Sequence, residues 1–159
     1  MTKKSKADAG EFLVCRNPKA ERNFDVEERL EAGLVLTGSE VKSLRSKHAN
    51  LEGAYAEIEH GELWLIHMHI GPYAQAGHFG HETKRKRKLL AHKREIERLA
   101  GRVSMRGYAL VPARVYFKHG RAKAELVLGK GRKVHDERES IKRELDLKEA
   151  RSAMARRRG

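Results

Sequence analysis

Two pairs of strand-like runs, each divided by a His-Gly step, constrain the fold of this chain more than any other feature. The runs are residues 54–59 and 62–70, divided by His60-Gly61, and residues 111–118 and 121–128, divided by His119-Gly120. A two-residue turn needs at least one central residue with positive φ, which glycine adopts at little cost. Both pairs predict β-hairpins, and two hairpins need further elements to close a core.

Further strands and a helix are predicted before the first hairpin. Phe24, Val26 and Leu30 alternate loosely with charged residues, and residues 33–36 form a short apolar run, which indicates two strand segments. Thr37 and Glu40 then have the spacing of a capping box, in which the N-cap and the third helical residue bond each other's backbone. We expect a strand that leads into a short helix.

A second helix is predicted between the two hairpins. Leu89, Ile96, Leu99 and Val103 fall near one helical face, and Gly101 is suited to end the helix. The pattern predicts a mainly β fold with short helices: a small closed barrel of about six strands with two to three helices. Closure is favoured because it removes the exposed edges of a short sheet. An open α+β sandwich is the structural alternative.

The charge of the chain indicates its class of partner. Lys and Arg number 35 against 22 Asp and Glu, a formal net charge of +13. Such an excess attracts polyanions, which makes nucleic acid the first partner to consider and an acidic membrane surface the second. Five adjacent basic residues are predicted to contact RNA phosphates, which would release counterions. They are Lys84, Arg85, Lys86, Arg87 and Lys88.

The apolar pattern ends at Leu128, and the last thirty residues, 130–159, hold eleven Lys and Arg against six Asp and Glu. Such a segment cannot join a core. We expect a flexible leader over residues 1–12, a barrel domain over 13–129 and a basic tail over 130–159. Cys15 is the only cysteine, and no apolar stretch suits a membrane span or a signal peptide. A cytoplasmic protein without a membrane partner is expected.

Four histidines offer an alternative with catalytic chemistry. His67 and His69 are two apart on a predicted strand, where they would share a face, and His78 and His81 follow closely. A zinc or copper site, and with it a metal-dependent hydrolase, can be imagined from them. We do not favour it, because no carboxylate or thiolate ligand stands at a fixed spacing and a basic surface disfavours a divalent cation. No metal, no cofactor and no enzymatic activity are expected.

Several motifs, in order along nearly the whole chain, resemble the small protein B (SmpB, SsrA-binding protein) family. They are "NPKA" (17–20), "EAGLVLTGSEVKSLR" (31–45), "EGAYAEIEHGELWLIHMHIGPY" (52–73), "RKRKLLAHKREIERL" (85–99) and "GKGRKVHDER" (129–138). The resemblance implies an oligonucleotide-binding-type (OB-type) β-barrel and a non-enzymatic adaptor. Such an adaptor binds the tRNA-like part of transfer-messenger RNA (tmRNA, or SsrA) and brings it to stalled ribosomes for trans-translation.

The resemblance also implies particular RNA contacts. In the family these fall on an Asn near the N-terminus, on the Glu that opens the EAG motif and on the leucine of the basic segment, which match Asn17, Glu31 and Leu90. To these we add Lys42 and the basic run 84–88. A carboxylate can accept hydrogen bonds from base amino groups. A salt bridge to a nearby Arg or Lys is the alternative role of Glu31.

For the tail, the resemblance implies a segment that is disordered in the free protein and helical on the ribosome, in the decoding centre of the small subunit and the message channel. The tail residues expected to engage the ribosome are Lys130, Arg132, Lys133, His135, Asp136 and Arg138. The chain departs from the family pattern at Pro18 and Glu137. We expect a monomer whose partners are tmRNA and the ribosome. A general single-stranded RNA-binding or ribosomal protein is the alternative.

Overall fold

The computed structural model describes residues 10–73, 80–131 and 148–152, and in the first two ranges it contains nine strands and three short helices. The strands are β1 (Glu11–Arg16), β2 (Phe24–Leu34), β3 (Ala49–Asn50), β4 (Tyr55–Glu59), β5 (Glu62–Ile66), β6 (His69–Ile70), β7 (Arg87–Leu90), β8 (Tyr108–Lys118) and β9 (Arg121–Gly131). The helices are α1 (Lys19–Arg22), α2 (Gly38–Arg45) and α3 (Lys93–Val103). Residues 148–152 are helical and exposed. None of the helices in these ranges has the length and apolar character needed to cross a membrane.

Six of the strands close into a barrel. The hydrogen-bonded order β8-β4-β5-β7-β2-β9 returns to β8, and neighbouring strands are antiparallel. Two strands share one edge of β8. β4 pairs with it at Leu110, near the start of β8, and β1 pairs with residues 114–118. β3 and β6 form a separate two-stranded ladder. The predicted fold class, mainly β with a small barrel of about six strands and a few short helices, is confirmed.

Both predicted hairpins are present. Their turn residues His60 and Gly61 have φ of 52° and 76°, and His119 and Gly120 have φ of 51° and 78°. Both central residues of each turn therefore lie in the left-handed region, as a type I′ turn requires. The second hairpin is longer than predicted, because β8 begins at Tyr108 and β9 continues through Gly131.

Two elements differ from the sequence prediction. Residues 24–34 form one strand instead of two segments, because a bulge between Val26 and Glu28 lets β2 keep its pairing with β9. Leu89 belongs to β7 and not to the second helix, since it pairs with Leu34 of β2 and Leu63 of β5. α3 begins only at Lys93 and continues past Gly101. β7 has only four residues, alternately more and less buried, and periodicity in so short a run does not distinguish a strand from a helix.

Aliphatic side chains from alternate strand positions fill the barrel, as the two-residue period of a strand requires. α2 adds Leu44 to this core, and α3 adds Ile96 and Leu99. The buried apolar residues of the barrel strands in this core are Leu30, Ala32, Leu34, Ala56, Leu63, Leu65, Leu89, Leu110, Val115, Phe117, Ala124, Leu126 and Leu128. A smaller cluster on the outer face, formed by Ala20, Val111, Ala113 and Val127, packs α1 against β8 and β9.

Candidate nucleic-acid interface

Glu31 lies on the outer face of β2 and is held by two residues of β8. Its Oε2 accepts a hydrogen bond from the Tyr116 hydroxyl and lies 3.5 Å from Lys118 Nζ. Burial by itself would raise the pKa of Glu31, but the hydrogen bond from Tyr116 and the positive charges of Lys118 and Lys123 outweigh it and lower the pKa. The side chain is still 38% exposed. A charged carboxylate is therefore held in place with an accessible surface for a ligand.

A network of ion pairs continues from Tyr116 toward α1. The Arg114 guanidinium lies 4.2 Å from the centroid of the Tyr116 ring and 3.5 Å from a carboxylate oxygen of Glu125. Glu125 also pairs with Arg29 at 3.2 Å, and Arg29 pairs with Glu21 of α1 at 2.7 Å. The network links side chains of β2, β9 and β8 next to the Glu31 carboxylate.

Asn17 connects the start of α1 to a bulge in β8. Its side-chain amide donates to the Pro112 carbonyl at 3.1 Å, and its backbone N–H donates to the Ala113 carbonyl at 2.7 Å. In its pairing with β9, the register of β8 shifts between Pro112 and Arg114, so both carbonyls lie at the irregular position. Pro18 follows with φ of −61° and ψ of −24°, a conformation that suits a helix start. Asn17 therefore has a structural task in addition to its predicted RNA contact.

The structure places Arg87 in the interior, which contradicts a surface role. Its side chain has no exposed area, and its Nε donates to Glu40 Oε2 at 2.6 Å. The two terminal nitrogens donate to the carbonyls of Met68, Glu82 and Thr83. Alternate residues of β7 face inward, and a guanidinium is tolerated there only when a charge partner and hydrogen-bond acceptors surround it. Arg87 joins β7 to the chain before it and does not reach a ligand outside.

Glu40 is the partner that makes this burial possible. Its second oxygen lies 2.6 Å from Arg85 and also accepts the Thr37 N–H at 2.9 Å. Burial alone would raise the pKa of Glu40, but hydrogen bonds from Arg85, Thr37 and Arg87 lower it to about 2. The predicted capping box of Thr37 and Glu40 is confirmed. One buried carboxylate thus joins the N-terminus of α2 to the segment that leads into β7.

Lys86 and Lys88 face outward, but each lies beside an acid of the neighbouring strands. Lys86 pairs with Glu59, and its Nζ lies 4.6 Å from the centroid of the Trp64 ring. Lys88 Nζ lies 3.7 Å from Glu62. The basic run is therefore not one continuous cationic surface. Lys84 is exposed and forms no ion pair with another residue of the described ranges.

Leu90 is 54% exposed and lies opposite Gly33 of β2. A Cβ atom on Gly33 would approach the Leu90 Cβ to 3.4 Å, so the leucine occupies the space over the glycine. Gly33 is two residues after Glu31, and alternate residues of a strand share a face. The structure therefore brings Glu31 and Leu90 to one surface. Lys42 is exposed on α2, with its Nζ 5.4 Å from the centroid of the Tyr73 ring.

A pocket of about 340 Å³ opens beside Leu90 and was not predicted from the sequence. It is lined by Gly33, Leu34, Leu36, Val41, Leu90, Phe117, Gly120, Arg121, Ala122 and Lys123. The pocket combines residues of β2, α2, β7 and the second hairpin. In the sequence, the only pattern that points to this surface is at the start of β9, where Arg121 and Lys123 alternate with alanine along a predicted strand.

The predicted tail contacts fall in two groups. Lys130 lies in β9, opposite Asp25 of β2 and Tyr108 of β8, so the barrel extends to Gly131, beyond the expected boundary at residue 129. The other five, Arg132, Lys133, His135, Asp136 and Arg138, lie outside the described residues.

The structure does not bring the described histidines of the imagined metal site together, and His81 has other partners. His81 Nδ1 lies 2.8 Å from the Ser39 hydroxyl, and Nε2 lies 3.0 Å from the Ile70 carbonyl. His67 does not share a strand face with His69, because its φ of 64° takes the chain out of β5. His78 lies outside the described residues. Within residues 10–73, 80–131 and 148–152, no three His, Cys, Asp or Glu side chains are placed to hold a metal.

The fold and this surface define a small, strongly basic β-barrel protein that exposes a fixed carboxylate, a leucine and a pocket with cations. A model of the SmpB protein family matches residues 14–156. The chain therefore belongs to the SmpB family, and the resemblance noted in the motifs is confirmed.

Similar proteins extend this match over most of the chain. The SsrA-binding protein of Desulforudis audaxviator is 55% identical over 144 residues, which cover 90% of this chain and 94% of that protein. The SsrA-binding protein of Geobacter sulfurreducens is 50% identical over 145 residues, which cover 91% and 95%. A chain of a solved structure described as "tmRNA-SmpB: a journey to the center of the bacterial ribosome" has a TM-score of 0.63 at 42% identity. That match covers 74% of this chain and 82% of the solved chain.

Proposed function

We propose that this protein is a non-enzymatic adaptor that binds the tRNA-like domain of tmRNA and delivers it to stalled ribosomes for trans-translation. The observation that carries the proposal is the family match over residues 14–156, together with relatives named for SsrA binding. The net charge of +13 supports it, because neutralised phosphates release counterions and favour binding to RNA. The protein acts as a monomer in the cytoplasm.

In this proposal the barrel holds the RNA. Glu31 and Leu90 meet unpaired bases: the carboxylate, with its pKa lowered, accepts from base amino groups, and the exposed leucine packs on a base. Lys42 and Lys84 supply phosphate contacts. Asn17 adds a contact beyond the ion-pair network. Arg87 acts indirectly, since its bonds to Glu40 and to three carbonyls fix the start of β7, at whose end Leu90 stands.

The basic tail acts in the second step. Residues after Gly131 enter the decoding centre and the message channel, with Arg132, Lys133, His135, Asp136 and Arg138 as contacts. The excess of basic over acidic residues in this segment favours a path lined by RNA, while its acids limit self-repulsion. Binding and delivery are therefore separable activities of two parts of the chain.

The separation is tested with the full chain and a chain that ends at Gly131, the last residue of β9. Gel shifts with the tRNA-like domain should give nearly equal affinities, while only the full chain should support peptide tagging on stalled ribosomes. Loss of RNA affinity in the shorter chain contradicts the proposal.

The RNA site is tested in the full chain with Glu31→Gln and Leu90→Ala. Each should weaken binding of the tRNA-like domain about tenfold, the range of one lost base contact. An unrelated RNA of equal length is the control, because binding by charge alone shows little preference among sequences. Equal affinity of the unchanged protein for both RNAs would favour a general single-strand binder.

A further inference from the structure

Tyr116 lies on the outer face of the barrel and is nevertheless buried. Its neighbours Val115 and Phe117 belong to the core, and successive residues of a strand face opposite sides of the sheet. Only 1% of Tyr116 is exposed. Leu13 of β1 and Lys123 of β9 are its partners in the two adjacent strands. The ring is therefore enclosed by other side chains, which restrict the direction of its hydroxyl.

Arg114 covers one side of this ring and is itself held from two other strands. Its guanidinium carbon lies 4.2 Å from the ring centroid of Tyr116. It pairs with Glu11 of β1 at 3.3 Å and with Glu125 of β9 at 3.5 Å. The Glu11 side chain is only 8% exposed, so this pair is largely shielded from water. A planar guanidinium stacks on a ring and binds carboxylates at its edge at the same time, which an ammonium group does not.

The Tyr116 hydroxyl distinguishes the two oxygens of Glu31. It donates to Oε2, which also lies 3.5 Å from Lys118 Nζ, whereas Oε1 has no hydrogen-bond partner among the residues that the structure describes. Burial and the bond to Glu31 raise the pKa of Tyr116, so the hydroxyl stays protonated and remains a donor. One carboxylate oxygen is thus engaged within the protein, and the other is left for a ligand.

A binding group that is already oriented loses less conformational freedom when its ligand arrives. We propose that Tyr116 and Arg114 are positioning residues for RNA binding: Tyr116 holds Oε2 of Glu31 so that Oε1 meets the RNA, and Arg114 fixes the Tyr116 ring. The inference rests on the proposed function. It gives β1 and β8 a part in RNA binding through side chains that do not themselves contact the RNA.

The role of Tyr116 is tested in the full chain with Tyr116→Phe, which removes the hydroxyl and keeps the ring. Binding of the tRNA-like domain should weaken roughly threefold to tenfold, the range for one lost hydrogen bond. Tyr55→Phe is the matched control, since it removes a hydroxyl from a ring on β4 that is 39% exposed, and it should bind like the unchanged protein. Equal losses in the two variants would overturn the role of Tyr116.

A double-variant cycle shows whether Tyr116 acts through Glu31. The protein with both Tyr116→Phe and Glu31→Gln should bind no more weakly than the protein with Glu31→Gln alone, because the hydroxyl then has no charged oxygen to orient. If the two losses multiply, Tyr116 affects RNA binding by another route and the positioning role is wrong.

The pH dependence of binding gives a readout that general destabilisation would not reproduce. Burial raises the pKa of Glu31, and the bond from Tyr116 is the largest of the contributions that lower it. Tyr116→Phe should therefore raise this pKa, so the carboxylate becomes neutral, and RNA affinity declines, at a higher pH than in the unchanged protein. Carbon-13 NMR of the Glu31 carboxyl group and gel shifts at decreasing pH measure the two effects. Superimposable profiles of the variant and the unchanged protein would contradict the role.

The role of Arg114 is tested with Arg114→Lys, which keeps the charge but loses the planar group that stacks and pairs. Binding should weaken with an unchanged slope of log affinity against log salt, because no phosphate contact is lost. Arg94→Lys, at an exposed position of α3, is the matched control and should bind normally. Full affinity of Arg114→Lys would overturn its role. This variant also decides the question if Tyr116→Phe does not fold.

Two results separate the positioning role from the proposed function. If the unchanged protein does not prefer the tRNA-like domain over unrelated RNA, the proposed function is wrong. If Glu31→Gln weakens binding while Tyr116→Phe and Arg114→Lys bind normally, only the positioning role is wrong.

Discussion

The Glu40 side chain has three structural roles in this barrel. It completes the capping box of α2, pairs with Arg85 at 2.6 Å and neutralises the buried Arg87 at 2.6 Å. A charge without exposed area is stable only when its partner and its hydrogen bonds are in place. The start of α2 and the start of β7 therefore depend on the same carboxylate.

Glu40→Gln should destabilise the protein by about 3–5 kcal/mol, because it leaves the Arg87 charge buried without a counter-charge. Urea unfolding at pH 7 measures the loss. Glu59→Gln is the matched control, since that glutamate pairs with Lys86 on an exposed face and its removal should cause no measurable change. Replacing both Glu40 and Arg87 by Leu and Met should restore part of the stability. Unchanged stability of Glu40→Gln contradicts the role assigned to the pair.

Glu40 should also make stability depend on pH. Its folded-state pKa of about 2 is below the ordinary 4.5, so its contribution is fully present above pH 4.5 and is lost as pH falls toward 2. The difference corresponds to roughly 3 kcal/mol. Urea unfolding at several pH values should show this decline in the unchanged protein, and a shallower decline in Glu40→Gln. Parallel profiles of the two proteins would exclude Glu40 as the cause.

Cys15 should react slowly with alkylating reagents. Burial raises its pKa to about 11, although a hydrogen bond with the backbone of Val115 acts in the opposite direction. At pH 8 only about one thiol in a thousand is ionised, so alkylation by iodoacetamide should be roughly two orders of magnitude slower than for a cysteine peptide. Mass spectrometry follows the reaction, and the protein in denaturant provides the fast control. Peptide-like rates in the native protein would mean that the thiol is exposed.

Among the elements, β9 has the largest part in closing the barrel. It pairs with β2 on one side and with β8 on the other over almost its whole length. Its glycine near the C-terminal end, Gly129, is required by the close approach of β2 and not by its own φ. A Cβ atom there would lie 2.7 Å from the Asp25 carbonyl oxygen and 3.1 Å from the Phe24 Cβ.

Gly129→Ala should therefore destabilise the barrel by about 1–3 kcal/mol or more, because a backbone oxygen cannot move aside as a side chain can. Thermal unfolding measures the effect. Gly38→Ala is the matched control: it lies in the first turn of α2 with no atom within 4 Å of the added Cβ, so alanine should be neutral or slightly stabilising. Equal melting temperatures of the two variants would show that β2 can shift.

The elements were predicted to different degrees. The hairpins and the α2 cap follow from residues that are neighbours in the chain, and they were predicted correctly. β1 and α1 were not predicted, since Glu11–Arg16 has no clear alternation and α1 has only four residues. β7 was assigned in part to a helix for the same reason. Short elements depend on the neighbours that they pack against, which periodicity alone does not reveal.

At the scale of the molecule, the barrel is closed by residues before position 132. The ring of six strands ends with Gly131 of β9, which pairs with Phe24 of β2. The charges are unevenly distributed over the outer face. Acids on β4 and β5 accompany Lys86 and Lys88, whereas Arg45, which lies over the Phe117 ring, has no ion-pair partner among the residues that the structure describes. The positive charge of the basic run is therefore partly compensated where it lies against β4 and β5.

A chain that ends at Gly131 should unfold in one transition, within about 2 °C of the full chain, because the closed sheet is complete. Differential scanning calorimetry measures both. A chain that ends at Leu126 is the control and should lose the transition, since it lacks the end of β9 that pairs with β2 and β8. A markedly lower midpoint for the first chain would show that later residues stabilise the barrel.

The sequence by itself determined the family, the barrel class, the two His-Gly turns, the capping box and the excess of positive charge. These depend on residue type or on neighbours along the chain. Only the tertiary structure decided that Arg87 is buried, that Tyr116 holds Glu31 and that a pocket lies beside Leu90. The bonded pairs are far apart in the chain: 47 residues separate Arg87 from Glu40, and 85 separate Tyr116 from Glu31. Closing the barrel brings these residues together, and a pattern of neighbouring residues in the sequence does not predict contacts over such separations.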